Sequence, residues 1–187
     1  MKIHTQIGRK TLKKVVFGLL VFIVFLSFGC AATGPKFHEL PELSKAPISK
    51  SRVIFFRPDK FWYNYRNAYI KVNGNKIGEV QNAGYFVVDL DPGKNSIEAY
   101  AVASPGRYLV DVELVEGETT YFMVYISDVS VNAALRGGLI GQSIEFSKRE
   151  KDKNGMFQMR VTLESEALPM IKNLNLKIVH RQFPNDR

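Results

Sequence analysis

Residues 84–100 read GYFVVDLDPGKNSIEAY. In the first half Phe86, Val88 and Leu90 alternate with Tyr85, Val87 and Asp89. A period of two places successive side chains on opposite faces of a β-strand. Pro92 and Gly93 then stand at the two central positions of a type II turn, where proline presets the first φ and glycine supplies the positive second one. Beyond the turn Ile97, Ala99 and Ala101 form the next apolar face. Two strands joined this tightly leave no room for a helical crossover, so the stretch points to an antiparallel all-β architecture.

The same pattern continues in both directions. Val53 to Arg57 is a nearly continuous apolar run, as expected of a central strand. Ala68, Ile70 and Val72 oppose Tyr69 and Lys71, Asn73-Gly74 supplies the positive φ values of a tight hairpin, and Lys76 to Val80 returns. Tyr108, Val110, Val112 and Leu114 alternate with Arg107, Asp111 and Glu113. After Glu116-Gly117, Phe122, Val124 and Ile126 oppose Tyr121, Met123 and Tyr125. Phe157, Met159, Val161 and Leu163 oppose Gln158, Arg160 and Thr162. The expectation is an all-β, antiparallel β-sandwich of about eight or nine short strands. One short C-terminal helix is expected from the spacing of Ala167, Leu168, Ile171 and Leu174, with Ser165 as its cap and Pro169 within its first turn.

The amino terminus has a different texture. Lys2, Arg9, Lys10, Lys13 and Lys14 precede a charge-free apolar run, Val15 to Phe28, which ends at Gly29-Cys30-Ala31. Its roughly 14 residues span only about 21 Å as a helix, against ~30 Å for a bilayer core. A basic head, a short apolar run and a small-residue end make a secretory signal, with an uncleaved membrane anchor as the alternative. Residues 1–29 contain five of the 26 basic residues and none of the 18 acidic ones, so most of the net charge of +8 belongs to the signal. The remainder carries no nucleic-acid footprint.

Cys30 is the only cysteine in the chain. Directly after Gly29 it fits lipoprotein processing, in which the thiol is diacylglycerylated and the chain is cut before it. Ser27 and Gly29 also satisfy the ordinary signal peptidase, so both routes stay open. An unpaired thiol in an exported chain is a liability unless it is used, and lipidation uses it.

The segments CAATGPKF, SRVIFFRP, YIKVNGNKIGEV, GYFVVDLDPGKNSIEAY and VEGETTYFMVYI resemble a family of proteobacterial lipoproteins with a single uncharacterised domain, domain of unknown function twenty-eight forty-six. The resemblance implies a small β-sandwich and an envelope location, and it implies no catalytic residues. The expected organisation is a signal peptide over 1–29, a lipid-anchored flexible tether over 30–50, and a β-sandwich domain over 51–187 ending in the helix and a basic tail. Pro35, Pro41 and Pro47 with Gly34 are the grounds for the tether. A domain starting near Ala46 is expected to fold alone.

Chemistry is sparse. His4, His38 and His180 fall in the signal, the tether and the tail, where neither a histidine-based triad nor a zinc site assembles. Asp89/Asp91 and Glu116/Glu118 lie at strand ends and turns, and RGGLIG (136–141) lacks the Gly-Lys-Ser/Thr ending of a phosphate loop. No catalytic, cofactor or metal residue is assigned. The candidate surface is the loop with Trp62, Tyr63, Tyr65 and Arg66, read either as a recognition platform or as a lid folded over the open end of the sandwich. The functional expectation is a lipid-anchored envelope module without catalytic activity. It would sit at the periplasmic face of the outer membrane and bind another envelope protein or a glycan, with no nucleic-acid partner. The alternative is a periplasmic hydrolase with an unrecognised site.

Overall fold

The computed structural model describes residues 32, 34–60, 65–104, 106–127 and 155–177. Within them the strands are β1 (Ser51–Arg57), β2 (Ala68–Val72), β3 (Asn75–Val80), β4 (Gly84–Leu90), β5 (Gly93–Tyr100), β6 (Tyr108–Leu114), β7 (Thr119–Ile126), β8 (Phe157–Thr162) and β9 (Asn175–Leu176). The helix α1 is Glu164–Ile171. They form a five-stranded sheet in the order β8-β7-β1-β4-β9 and a four-stranded sheet in the order β3-β2-β5-β6. The sandwich read from the alternation is present, largely antiparallel, with one short helix.

Asn73 and Gly74 close the β2–β3 hairpin with φ of 50° and 83°. The Pro92-Gly93 turn does something else. Gly93 has the positive φ expected, 101°, but β4 and β5 belong to different sheets, so the turn is a corner between layers rather than a hairpin. Two pairings are parallel, β1 with β7 and β4 with β9. Alternation fixes the face each residue takes but not the identity of the neighbouring strand.

Between the sheets lies a core built on Val53, Phe55, Ile70, Phe86, Ile97 and Phe122. Phe55 stacks on Phe86 and Phe122 at 5.0 and 5.4 Å. The outer face of the five-stranded sheet is also covered, by a second cluster that includes Phe37, Ile54, Phe56, Tyr85, Tyr121, Ala167 and Ile171. This explains the unbroken apolar run of β1, whose Val53 and Phe55 serve one core while Ile54 and Phe56 serve the other.

Part of that cover is the segment expected to be a flexible tether. Phe37–Glu39 and Pro41–Ser44 form 3-10 turns, and Phe37 is buried edge-on against Tyr85, 5.2 Å between ring centroids. Backbone groups of this segment are hydrogen-bonded to the domain. Gly34 N donates to Leu176 O (3.1 Å), Leu176 N to Pro35 O (2.8 Å) and Phe37 N to Leu174 O (3.2 Å). Arg52 Nη1 donates to Glu42 O (3.0 Å) and Thr119 Oγ1 to Ser44 O (2.8 Å). From Gly34 onward the tether reading is therefore corrected: the segment is docked.

Two smaller expectations also change. Val161 in β8 and Leu163 just beyond it are exposed while Thr162 is buried. Val161 shares its face with Phe122, its cross-strand partner, so the cover of this edge strand ends between Met159 and Val161. In α1 the cap position is Leu163 without a side-chain bond, and Pro169 lies in the second turn, not the first.

Candidate functional site

Strand direction sorts the connections into two ends. The β2–β3, β4–β5 and β6–β7 turns lie at one end. The other end carries the longer connections after β1 and β7, together with those joining β3 to β4 and β5 to β6. The candidate aromatic loop belongs to this long-loop end. Trp62 and Tyr63 lie outside the described residues, as do Gly29, Cys30, residues 136–141, His4 and His180.

Tyr65 is 63% exposed, so the described part of the loop is not a lid over the core. The Arg66 guanidinium lies 5.7 Å from the Tyr65 ring centroid and donates to Val102 O at 2.9 Å. Arg66 thereby ties the loop after β1 to the loop after β5. Its own carbonyl accepts a hydrogen bond from Arg57 Nη1.

Arg57 closes β1 just before this loop. It is among the largest fully buried side chains, and its guanidinium lies 5.0 Å over the Phe157 ring. Burial lowers its pKa to about 10, with the nearby Asp59 charge pulling the other way. The only signal was a cation closing an apolar strand. Asp59 accepts from Asn82 Nδ2 at 2.6 Å, and Asn82 Oδ1 accepts from Lys60 N at 3.1 Å. Asn82 thus fastens the first part of the loop to the β3–β4 connection.

A second surface missed by motif reading lies on the outer face of the four-stranded sheet. Tyr69 and Tyr100 pair across β2 and β5 at 5.5 Å. Lys76 caps the first ring at 4.3 Å and Lys71 the second at 4.7 Å. Glu98 binds Lys71 at 3.2 Å and Arg107 at 3.5 Å. Cross-strand aromatic and charge pairs of this kind stabilise a sheet face and also present flat rings to a partner.

Two of the strand-end carboxylates are engaged in ion pairs: Asp89 holds Arg52 through two bonds (2.7 and 3.0 Å) and Asp91 holds Lys50 (2.6 Å). His38 donates its backbone N–H to Lys172 O, and its Nδ1 lies 2.7 Å from the same oxygen. Among the described residues no group of three or more His, Cys, Asp or Glu side chains could hold a metal ion. No helix there is long and apolar enough to cross a membrane.

Two packed sheets define a β-sandwich domain. Residues 47–139 match the model of a family described as a protein of unknown function, DUF2846, and the chain carries the domain of that family. The match runs through β1 to β7, so the docked segment from Gly34 to Ala46, β8, α1 and β9 lie outside it. No curated protein matches the chain.

Proposed function

We propose that this chain is a lipoprotein of the bacterial cell envelope, held by a diacylglyceryl group on Cys30, whose domain serves as a binding or structural module. The observation that carries this reading is the order of residues 1–31: a basic head, the charge-free run from Val15 to Phe28, then Gly29 and the only cysteine. Ala31 follows Cys30, where an Asp would favour retention in the inner membrane, so the periplasmic face of the outer membrane is the proposed location. Tyr65 and the Tyr69–Tyr100 pair are the surfaces offered to an envelope protein or glycan. Mass spectrometry of the mature amino terminus tests the anchor. Lipid mass on Cys30 is expected, and Cys30→Ala should release the protein to the soluble periplasm or leave it unprocessed. An unmodified cysteine, or a terminus at Thr33, would refute it. Recovery mainly with the inner membrane on a density gradient would refute the location alone.

A further inference from the structure

The β2–β3 hairpin contains a pairing that sheet stability does not call for. Tyr69 lies opposite Glu79 and Ile70 opposite Gly78, but the register then shifts and Lys71 lies opposite Lys76. Ile77 is the extra residue of this bulge, and without it Ile77 would face Lys71. Like charges directly opposite one another destabilise a strand pair, and bulges re-aim side chains beside functional sites. Here the bulge brings two ammonium groups together on the outer face of the sheet. Lys76 Nζ rests 4.3 Å from the Tyr69 ring centroid and Lys71 Nζ 4.7 Å from that of Tyr100. The two rings are 5.5 Å apart.

The carboxylates of this corner sit lower than the cations they bind. Glu98, 13% exposed, holds Lys71 (33%) at 3.2 Å and Arg107 (43%) at 3.5 Å. Glu79, 22% exposed, holds Lys177 (32%) at 3.4 Å and accepts from Asn67 Nδ2 at 3.3 Å. Lys76 is exposed, and no ion pair joins it to a described carboxylate. Four cations thus stand over two sunken acids, and the corner faces outward with positive potential. The acids of β6 are set apart from it, Asp111 opposite Ser96 and Glu113 opposite Lys94. None of the large apolar side chains exposed among the described residues lies in a strand of this sheet. A lipid headgroup layer takes up apolar groups beside the cations, and a peptide partner is anchored largely by apolar and aromatic contacts. Rings and ammonium groups on a flat face suit a sugar chain with acid groups instead.

We propose that this corner binds a carboxylate-bearing glycan, with Lys71 and Lys76 bridging the acid group and Tyr69 and Tyr100 carrying the sugar rings. This rests on the reading of the Tyr69–Tyr100 face as the module's binding surface and names its partner; it does not depend on a lipid on Cys30. A carboxylate seated between the two lysines cancels the repulsion that the bulge creates. It also draws the ammonium groups off the tyrosines, whose faces then meet the C–H face of the sugar.

Calorimetric titration of the full chain in detergent, with oligogalacturonate as the probe, tests this. Binding that weakens as salt is added is expected. Lys71→Gln and Lys76→Gln should each weaken it about tenfold, as for loss of one charge-assisted hydrogen bond. Lys76→Arg should keep it. Lys94→Gln, at an exposed position opposite Glu113, should leave it unchanged. Because Lys76→Gln relieves a like-charge pair, its melting temperature should not fall below the parent's, which separates lost binding from lost fold. The methyl-esterified oligomer keeps the sugar chain without the charge and should bind at least about tenfold more weakly. Equal binding of that ester, or binding indifferent to both lysine substitutions, overturns the proposal. Equal affinity for polyglutamate overturns the glycan while keeping the face as a binding surface, one for acidic peptides. Binding of neither polymer overturns both the glycan and the face.

Discussion

Phe37→Ala separates a docked amino-terminal segment from a tether by stability alone. Phe37 is 5% exposed and meets Tyr85 at 82° between ring planes. Burial of its side chain contributes about 1.5–3 kcal/mol, and the edge-to-face pair adds roughly 0.5–1.5 kcal/mol. The expected loss is thus about 2–4 kcal/mol, limited above by the free energy at which the whole segment undocks from the sheet. For a domain of this size each kcal/mol shifts Tm by about 2–4 °C, so a fall of roughly 5–15 °C is expected. Urea and thermal melts of the soluble chain beginning at Ala31 supply the measurement. Ile48→Ser is the control, because Ile48 is 94% exposed and should change stability by less than about 0.5 kcal/mol. A chain beginning at Ala46 should lose at least as much as Phe37→Ala, since it also removes the bonds to Leu174, Leu176 and Thr119. If both Phe37→Ala and the Ala46 start melt with the parent, the docking argument fails.

Phe122→Ala opens a cavity beside Phe55 in the inter-sheet core and should cost about 3–5 kcal/mol in urea unfolding; a loss below 1 would contradict the packing. Gly74→Val forces a β-branched residue to a φ of 83° and should cost about 1–2 kcal/mol, read from the same melts. Burial raises Tyr85 and Tyr121 from 10 to about 12. The unfolded chain therefore deprotonates first, and stability held below pH 10 should fall between pH 10 and 12. Arg57, lowered by burial to about 10, loses its proton first in the folded chain and opposes that fall. Arg57→Met should accordingly steepen it and Tyr85→Phe flatten it, with urea midpoints against pH as the check.

What was legible in the sequence was local. Asn73-Gly74 announced its hairpin because two consecutive positive φ values admit few residue types, and β2 and β5 displayed their buried faces through strict alternation. Sheet membership was not legible, since a short turn such as Asp91-Pro92-Gly93 serves a corner as readily as a hairpin. Arg57 was hidden because a cation at a strand end is solvated by default, whereas here the Phe157 ring and the Arg66 carbonyl converge on a buried guanidinium. In the candidate loop, the residue types left a platform and a lid open, and the exposure of Tyr65 had to come from the structure. The double role of Arg66, holding Val102 with its side chain and Arg57 with its backbone, depends on a connection more than thirty residues away. The anchor is the reverse case, resting entirely on the order of residues near Cys30.

The docked segment follows from a count of covers that the sequence did contain. β2 and β5 send Tyr69, Lys71, Glu98 and Tyr100 outward and need one apolar partner. β1 is apolar on both faces, so its sheet needs two. The four-stranded sheet supplies the first. The second cannot be α1 alone, because eight residues make a helix only about 12 Å long, while β1 runs about 23 Å. The uncovered stretch of Ile54, Phe56 and Tyr85 must be closed by apolar residues from elsewhere in the chain. Phe37 and Leu43 close it, drawn from a segment whose prolines make it look irregular but suit it to 3-10 turns. A segment recruited to cover a sheet cannot also swing freely. In this fold the same contacts that complete the outer core bring the position two residues after Cys30 to a single place on the domain surface.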